Sequence, residues 1–181
     1  MAGSGRDERA RVRGAQAGSV EDLEALFRAH WSRAFRAAYL VVHDAAAAED
    51  IAQEAFLAAV RALDRFDRRR PFGPWLHRIV VNRAIDWSRA RSVRAEVSDD
   101  GLAERLPAAA TADALESDAG SLVSGLARLS PEHRAVIVLR HLLEYTPGEI
   151  AHLLDLPRGT VNSRLRRALD RLAVELGEER S

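Results

Sequence analysis

The chain contains no cysteine. Disulfides, thiol nucleophiles and thiolate metal sites are thereby excluded. Lysine is absent too, so all 27 basic residues are arginine. No run approaches the roughly 18 apolar residues that a bilayer crossing needs, and residues 1–10 lack the apolar stretch of a secretory signal. A cytoplasmic protein without membrane insertion is expected. The six histidines (His30, His43, His77, His133, His141, His152) show none of the tight ligand spacings such as HExxH. His133 and His141 could share a helix face, but no carboxylate pair stands near them in sequence. With no nucleophile and base constellation either, neither enzymatic activity nor a cofactor is expected.

What is present favours helix. The 181 residues are 47% hydrophobic and 30% charged, enough to bury one or two modest cores. The 33 alanines and the lack of alternating β-branched runs or hairpin turns predict an all-α protein. The formal net charge of zero conceals two basic blocks around an acidic stretch. Residues 65–94 carry nine arginines against Asp67 and Asp86, and residues 158–171 carry five against Asp170. Residues 98–130 carry six acids against Arg105 and Arg128. Arginine keeps its charge on burial and offers a planar donor fork suited to phosphates and guanine edges.

Apolar spacings of three and four predict a first amphipathic helix over residues 20–42, through Leu23, Leu26, Phe27, Trp31, Ala34, Phe35 and Ala38. Asp44 is placed to cap a second, whose buried stripe is Ile51, Ala55, Phe56, Ala59, Leu63 and Phe66. Pro71, Gly73 and Pro74 interrupt the pattern, and a third helix is expected from Pro74 or Trp75 to about Arg91. Periodicity fades over residues 92–124, which read as a linker with a short helix near residues 112–115. Ser130 and Pro131 open another helix, running to about Leu143. Thr146 and Glu149 match a capping box that starts a short helix to Leu154. The last helix should run from Arg158 to Leu176, with Gly177 as its stop. These boundaries give a disordered or extended segment 1–19, a helical domain 20–94, an acidic linker 95–121 and a second helical domain 122–177.

Two helices joined by a tight turn, the second rich in arginine, form the layout of a helix-turn-helix that reads the major groove. At 100° per residue, Val161, Leu165, Ala168, Leu169 and Leu172 fall within about 100° of arc as a core stripe. Ser163, Arg166, Arg167 and Asp170 lie opposite, with Arg164 and Arg171 on a flank. A solvated charged face is the alternative reading, yet Asp170 is the single acid from Arg158 to Arg171. Arg140 could hold phosphate or pair with Glu144 one turn on.

The third helix is apolar around most of its circumference, with Arg78, Asn82, Asp86 and Arg89 inside about 80° of arc. Such a stripe faces either water or nucleic acid. Arg68, Arg69 and Arg70, with Phe72, Trp75 and Trp87 interleaved, supply charge and stacking surface for unpaired bases, although each aromatic taken singly reads as core before platform.

Three stretches together resemble a known family: residues 48–56 (AEDIAQEAF), residues 74–86 (PWLHRIVVNRAID) and residues 129–167, which open on LSPE. They resemble the extracytoplasmic-function (ECF) sigma factors of the sigma-70 family, the two-domain initiation subunits of bacterial RNA polymerase. The likeness covers about residues 20–94 and 120–173. It implies that the first domain binds the clamp helices of core RNA polymerase, with Asp50, Gln53 and Glu54 at the polymerase contact. It further implies that this domain opens the minus-ten element, where Asn82 helps hold a flipped base and Arg78, Arg83 and Arg89, with Trp75, lie along the strand. The second domain would read the minus-thirty-five element through Ser163, Arg166 and Arg167, with Arg140, Thr160 and Arg164 on phosphates. The acidic linker resembles a segment that threads the polymerase cleft, and an anti-sigma factor is an expected partner. Asp155 stands where the family often has glycine in the turn, which its tolerance of left-handed backbone allows. The competing reading is a helix-turn-helix regulator that works without polymerase. Such a regulator has no need of the Asp50, Gln53 and Glu54 patch.

Overall fold

The first residues of the chain form a helix, α1 (Ala2–Gln16), where a disordered or extended segment was expected. The computed structural model describes residues 2–97 and 118–178. The apolar stripe of α1 is too thin to signal from sequence: Val12 is buried and Ala15 half-buried, while the flanking positions are charged or small. What admits α1 is a close approach to the next helix. A Cβ on Gly14 would lie 1.7 Å from Asp22 Oδ2. Gly18 then turns the chain at φ 92°, a conformation that costs glycine little.

In α2 (Val20–Val42) the Ser19 hydroxyl accepts from the Asp22 amide at 3.2 Å, and His43 closes the helix in the left-handed region at φ 54°. Asp44 caps α3 (Ala45–Ala62) by accepting from the Ala47 amide at 3.0 Å, as its position predicts. A single 3₁₀ turn, Leu63–Arg65, follows. α4 (Phe72–Val97) begins before Pro74 and runs past Arg91. Pro74 therefore sits inside the first turn, where a missing amide hydrogen costs no intrahelical bond. Leu26, Ala34, Ala38, Ile51, Phe56, Leu76, Val80 and Ala84 join α2, α3 and α4 in one apolar core.

The second lobe comprises α5 (Asp118–Ala127), α6 (Pro131–Ile137), α7 (Pro147–Leu154) and α8 (Arg158–Glu178). The start of α5 precedes the expected boundary at 122, and α8 passes through Gly177, which weakens a helix without necessarily ending it. The expected short helix near residues 112–115, and most of the linker 95–121, lie outside the described residues. α6 continues into a π-helical turn, Val138–Leu142, in which the Leu143 amide donates to the Val138 carbonyl. Sequence spacing predicts an uninterrupted α-helix there, because one wide turn barely disturbs the apolar period.

The two lobes pack against each other. α6 meets α2 and α4, its π turn meets α2, and α7 meets α4. His77 Nδ1 lies 2.7 Å from the Tyr145 hydroxyl, and Arg89 Nε donates to Glu132 Oε1 at 2.7 Å. Among the described residues, four buried side-chain atoms have no hydrogen-bond partner: His43 Nε2, His77 Nε2, Ser88 Oγ and Arg134 Nε. Burial, with Arg134 nearby, lowers the His43 pKa to about 4, and burial lowers that of Arg134 to about 10. A contact that leaves such groups unbonded is less stable than an apolar interface of the same size.

Candidate nucleic-acid interface

The helix-turn-helix is built by local chemistry. Thr146 Oγ1 accepts from the Glu149 amide at 3.3 Å while Glu149 Oε2 accepts from the Thr146 amide at 2.7 Å, completing the capping box. The Thr146 hydroxyl, which donates to Glu149 Oε2 at 2.7 Å, and after it the Thr146 amide hold the Glu149 carboxyl below its usual pKa. Asp155 ends α7 at φ 53°, in the left-handed turn expected of it. On α8, Val161, Leu165, Ala168 and Leu172 are buried as the core stripe. Leu169 is not, being 45% exposed. It lies at the edge of the arc, so helical angle alone misplaced it.

Arg166 and Arg167 are exposed on the outer face of α8 and Arg171 on its flank, while Thr160, Ser163 and Arg164 are half-buried. The Ser163 hydroxyl donates to the Thr160 carbonyl at 2.9 Å, which leaves its lone pairs for an incoming donor. Arg140 is exposed and donates to the Tyr145 carbonyl at 3.2 Å, so its guanidinium braces the turn before α7. The positive field here extends inward. After burial itself, Arg164 and Arg171 are the larger charges lowering the pKa of His133.

On the first lobe, Arg78 is exposed and Asn82 half-buried on the same side of α4. Arg89 shares that stripe, and Glu132 from the other lobe pairs with it. Arg83 lies a quarter-turn away and is held at 2.6 Å by Glu54. The structure thus joins an expected strand contact to an expected polymerase contact across the α3 and α4 groove. Trp75 is half-buried, with its ring centroid 4.5 Å from Phe66 and 5.6 Å from Phe72. Arg91 lies over the Trp87 ring at 5.2 Å. Asp50, Gln53 and Glu54 are exposed on α3, where Gln53 donates to Glu49 at 3.2 Å. Among the described residues no group of three or more His, Asp or Glu side chains could hold a metal ion, and no helix is long and apolar enough to cross a membrane.

Sequence reasoning missed the residues that join the lobes: His77, Tyr145, Glu132 and Arg134. His77, with Ser88 one of two buried polar side chains among the described residues of α4, could have signalled a partner, since a buried imidazole needs one.

Residues 26–94 match Sigma-70 region 2, and residues 125–173 match Sigma-70, region 4. The RNA polymerase sigma-E factor of Streptomyces avermitilis is 33% identical over 161 residues, 88% of this chain and 87% of that protein. The ECF RNA polymerase sigma factor SigL of Mycobacterium tuberculosis is 34% identical, covering 93% of this chain and 97% of that protein. CnrH, solved in complex with the cytosolic domain of CnrY, superposes with a TM-score of 0.69 at 28% identity, covering 95% of this chain and 98% of CnrH. These matches span both lobes in order, and the arginine face of α8 and the polar stripe of α4 each fall within a matched region. The chain belongs to the sigma-70 family of RNA polymerase sigma factors, in its extracytoplasmic-function group.

Proposed function

We propose that the chain docks on core RNA polymerase through Asp50, Gln53 and Glu54 of α3, opens the minus-ten element along α4 and reads the minus-thirty-five element with α8. The observation that carries this reading is the outer face of α8, where Arg166 and Arg167 are exposed behind a capped helix and a left-handed turn. Arginine forks at that position can engage guanine edges, each discriminating by about 1–3 kcal/mol. Thr160, Arg164 and Arg140 border the same face, and their role is to hold phosphates and fix the register. On α4, Arg78 and Asn82 meet the non-template strand. Trp75, backed by Phe66 and Phe72, supports an unstacked base with one face only. Arg83 and Arg89 reach the strand once released from Glu54 and Glu132.

Neither surface is large, and each binds DNA weakly alone. Docking both on one polymerase makes the second contact intramolecular. The two elements are about 25 base pairs apart, on the order of 80 Å at ~3.4 Å per base pair. Lobes in contact cannot serve both, so the interface through His77 and Tyr145 parts on promoter engagement. The 20 residues of 98–117 join the lobes, and at ~3.5 Å per residue they reach up to about 70 Å. Action on chromosomal promoters places the protein in the cytoplasm, as an initiation factor that performs no bond chemistry. An anti-sigma factor that holds the lobes together fits the same geometry.

Run-off transcription with purified core polymerase and a randomised promoter library tests the whole reading. New start sites with paired upstream motifs are expected. A chain that leaves core polymerase unbound but still binds duplex DNA favours the polymerase-independent regulator instead.

A further inference from the structure

α1 contributes little apolar burial, yet its polar side chains converge on one stretch of backbone. Gln16 Nε2 donates to the carbonyl oxygens of Leu63 at 2.9 Å and Phe66 at 3.0 Å. At the far end of the same connection, Glu8 Oε2 accepts from the Phe72 amide at 3.2 Å. The other carboxylate oxygen meets His30 Nε2 at 2.9 Å. These contacts span 47, 50 and 64 residues of sequence. Phe72 is the first residue of α4, and Pro71 before it has no side-chain acceptor. Elsewhere in the chain Ser19, Asp44, Ser130 and Thr146 cap their own helices. For α4 the capping carboxylate comes from another helix.

The His30 hydrogen bond outweighs burial and keeps the Glu8 carboxyl below its usual pKa, so the cap is ionised. An anionic group is favoured at a helix N-terminus. Between the two pinned ends, Asp67 Oδ1 accepts from the Arg69 amide at 3.0 Å and the Arg70 amide donates to the Asp67 carbonyl at 2.9 Å. Arg68, Arg69 and Arg70 thus stand exposed on a short self-bonded turn whose flanks are both tied to α1. Gly73 permits the arrangement, since a Cβ there would come within 3.1 Å of His30 Cε1.

We propose that Glu8 and Gln16 are positioning residues for promoter opening: from α1 they fix the connection 63–72 and the first turn of α4, and with them the placement of Arg68, Arg69, Arg70 and Trp75 against the unpairing strand. The inference rests on the reading of α4 as the surface that engages the melted strand. Extruding a base costs free energy at the moment of opening, and a surface that must also order itself at that moment adds to the barrier. Bracing from α1 removes the ordering step. Neither residue touches DNA.

The test uses full-length protein assembled with core polymerase on a promoter selected by the wild-type holoenzyme, as the double variant Glu8→Ala/Gln16→Ala. Permanganate reactivity of minus-ten thymines is expected to fall about fivefold to tenfold on duplex promoter, the weight of one or two buried hydrogen bonds. On a pre-melted template of the same sequence, transcription should return to within about twofold of wild type, with core affinity and minus-thirty-five protection unchanged. Glu8→Gln, whose amide oxygen can still accept from the Phe72 amide, should restore duplex opening. Normal opening by the double variant overturns the proposal, as does an equal loss on the pre-melted template or a parallel loss of core affinity. If the double variant fails to fold by circular dichroism, Gln16→Ala alone decides on the same two templates. A wild-type holoenzyme that opens no promoter sinks the underlying reading of α4, whereas wild-type opening matched by the variants sinks the brace alone.

Discussion

The Tyr145 hydroxyl and His77 Nδ1 lie 2.7 Å apart, with the two rings edge to face at a centroid separation of 5.9 Å. This bond ties the turn before α7 to the buried face of α4. Burial pushes the Tyr145 phenol pKa up and lowers that of His77 to about 4, so a protonated phenol meets a neutral imidazole. Tyr145→Phe leaves both imidazole nitrogens without a partner inside the interface. It should lower stability by about 1–3 kcal/mol. Small-angle scattering of the free variant should show a larger radius of gyration than wild type. An unchanged urea midpoint together with an unchanged radius counts against the bond.

Acid should weaken the same interface. Both His43 and His77 are lowered from 6.5 to about 4 in the folded state, chiefly by burial. The folded state therefore binds fewer protons than the unfolded chain between those values. Stability is complete above pH 6.5 and falls as pH drops toward 4, by up to about 1.4 kcal/mol per histidine per pH unit. The lowered carboxyls of Glu8 and Glu132 act in the same direction, being lost as they protonate. Urea denaturation at pH 7.5 and pH 5 checks this, and a flat profile contradicts it.

Arg167→Ala on the outer face of α8 should weaken minus-thirty-five protection by about 1–3 kcal/mol in holoenzyme footprinting. Melting temperature should be unchanged, since the side chain is exposed. Arg164→Ala should instead weaken binding across all sequences and flatten the salt dependence, as loss of a phosphate contact does.

Asn82→Ala should impair opening while leaving the minus-thirty-five footprint intact. Permanganate reactivity of the minus-ten thymines is the readout, and wild-type reactivity in the variant removes Asn82 from the mechanism. Because Asn82 is half-buried, its melting temperature must be measured alongside.

The triple substitution of Asp50, Gln53 and Glu54 by alanine should cost at least about tenfold in affinity for core polymerase, as losing one interface hot spot does. All three are exposed, and the Glu54 pair with Arg83 is 62% and 40% exposed on its two sides. Loss of such a pair changes stability by at most about 1 kcal/mol. Pull-down and thermal melting together separate the two effects.

Sequence alone determined the all-helical class, the caps at Asp44, Ser130 and Thr146, the left-handed turn at Asp155 and the arginine face of α8. All of these follow from local rules: helical period, side-chain acceptors three residues from an amide, and backbone tolerance at one position. Only the tertiary structure decided that residues 2–16 are helical, that Leu169 is exposed, that Glu54 holds Arg83 and that His77 meets Tyr145. Those outcomes depend on what lies across a groove, often more than forty residues away in the chain. A weak stripe such as Val12 and Ala15 becomes a helix because α2 and the connection before α4 supply its partners. Period and capping are written within a dozen residues, whereas packing is settled by the neighbours that the completed fold brings in.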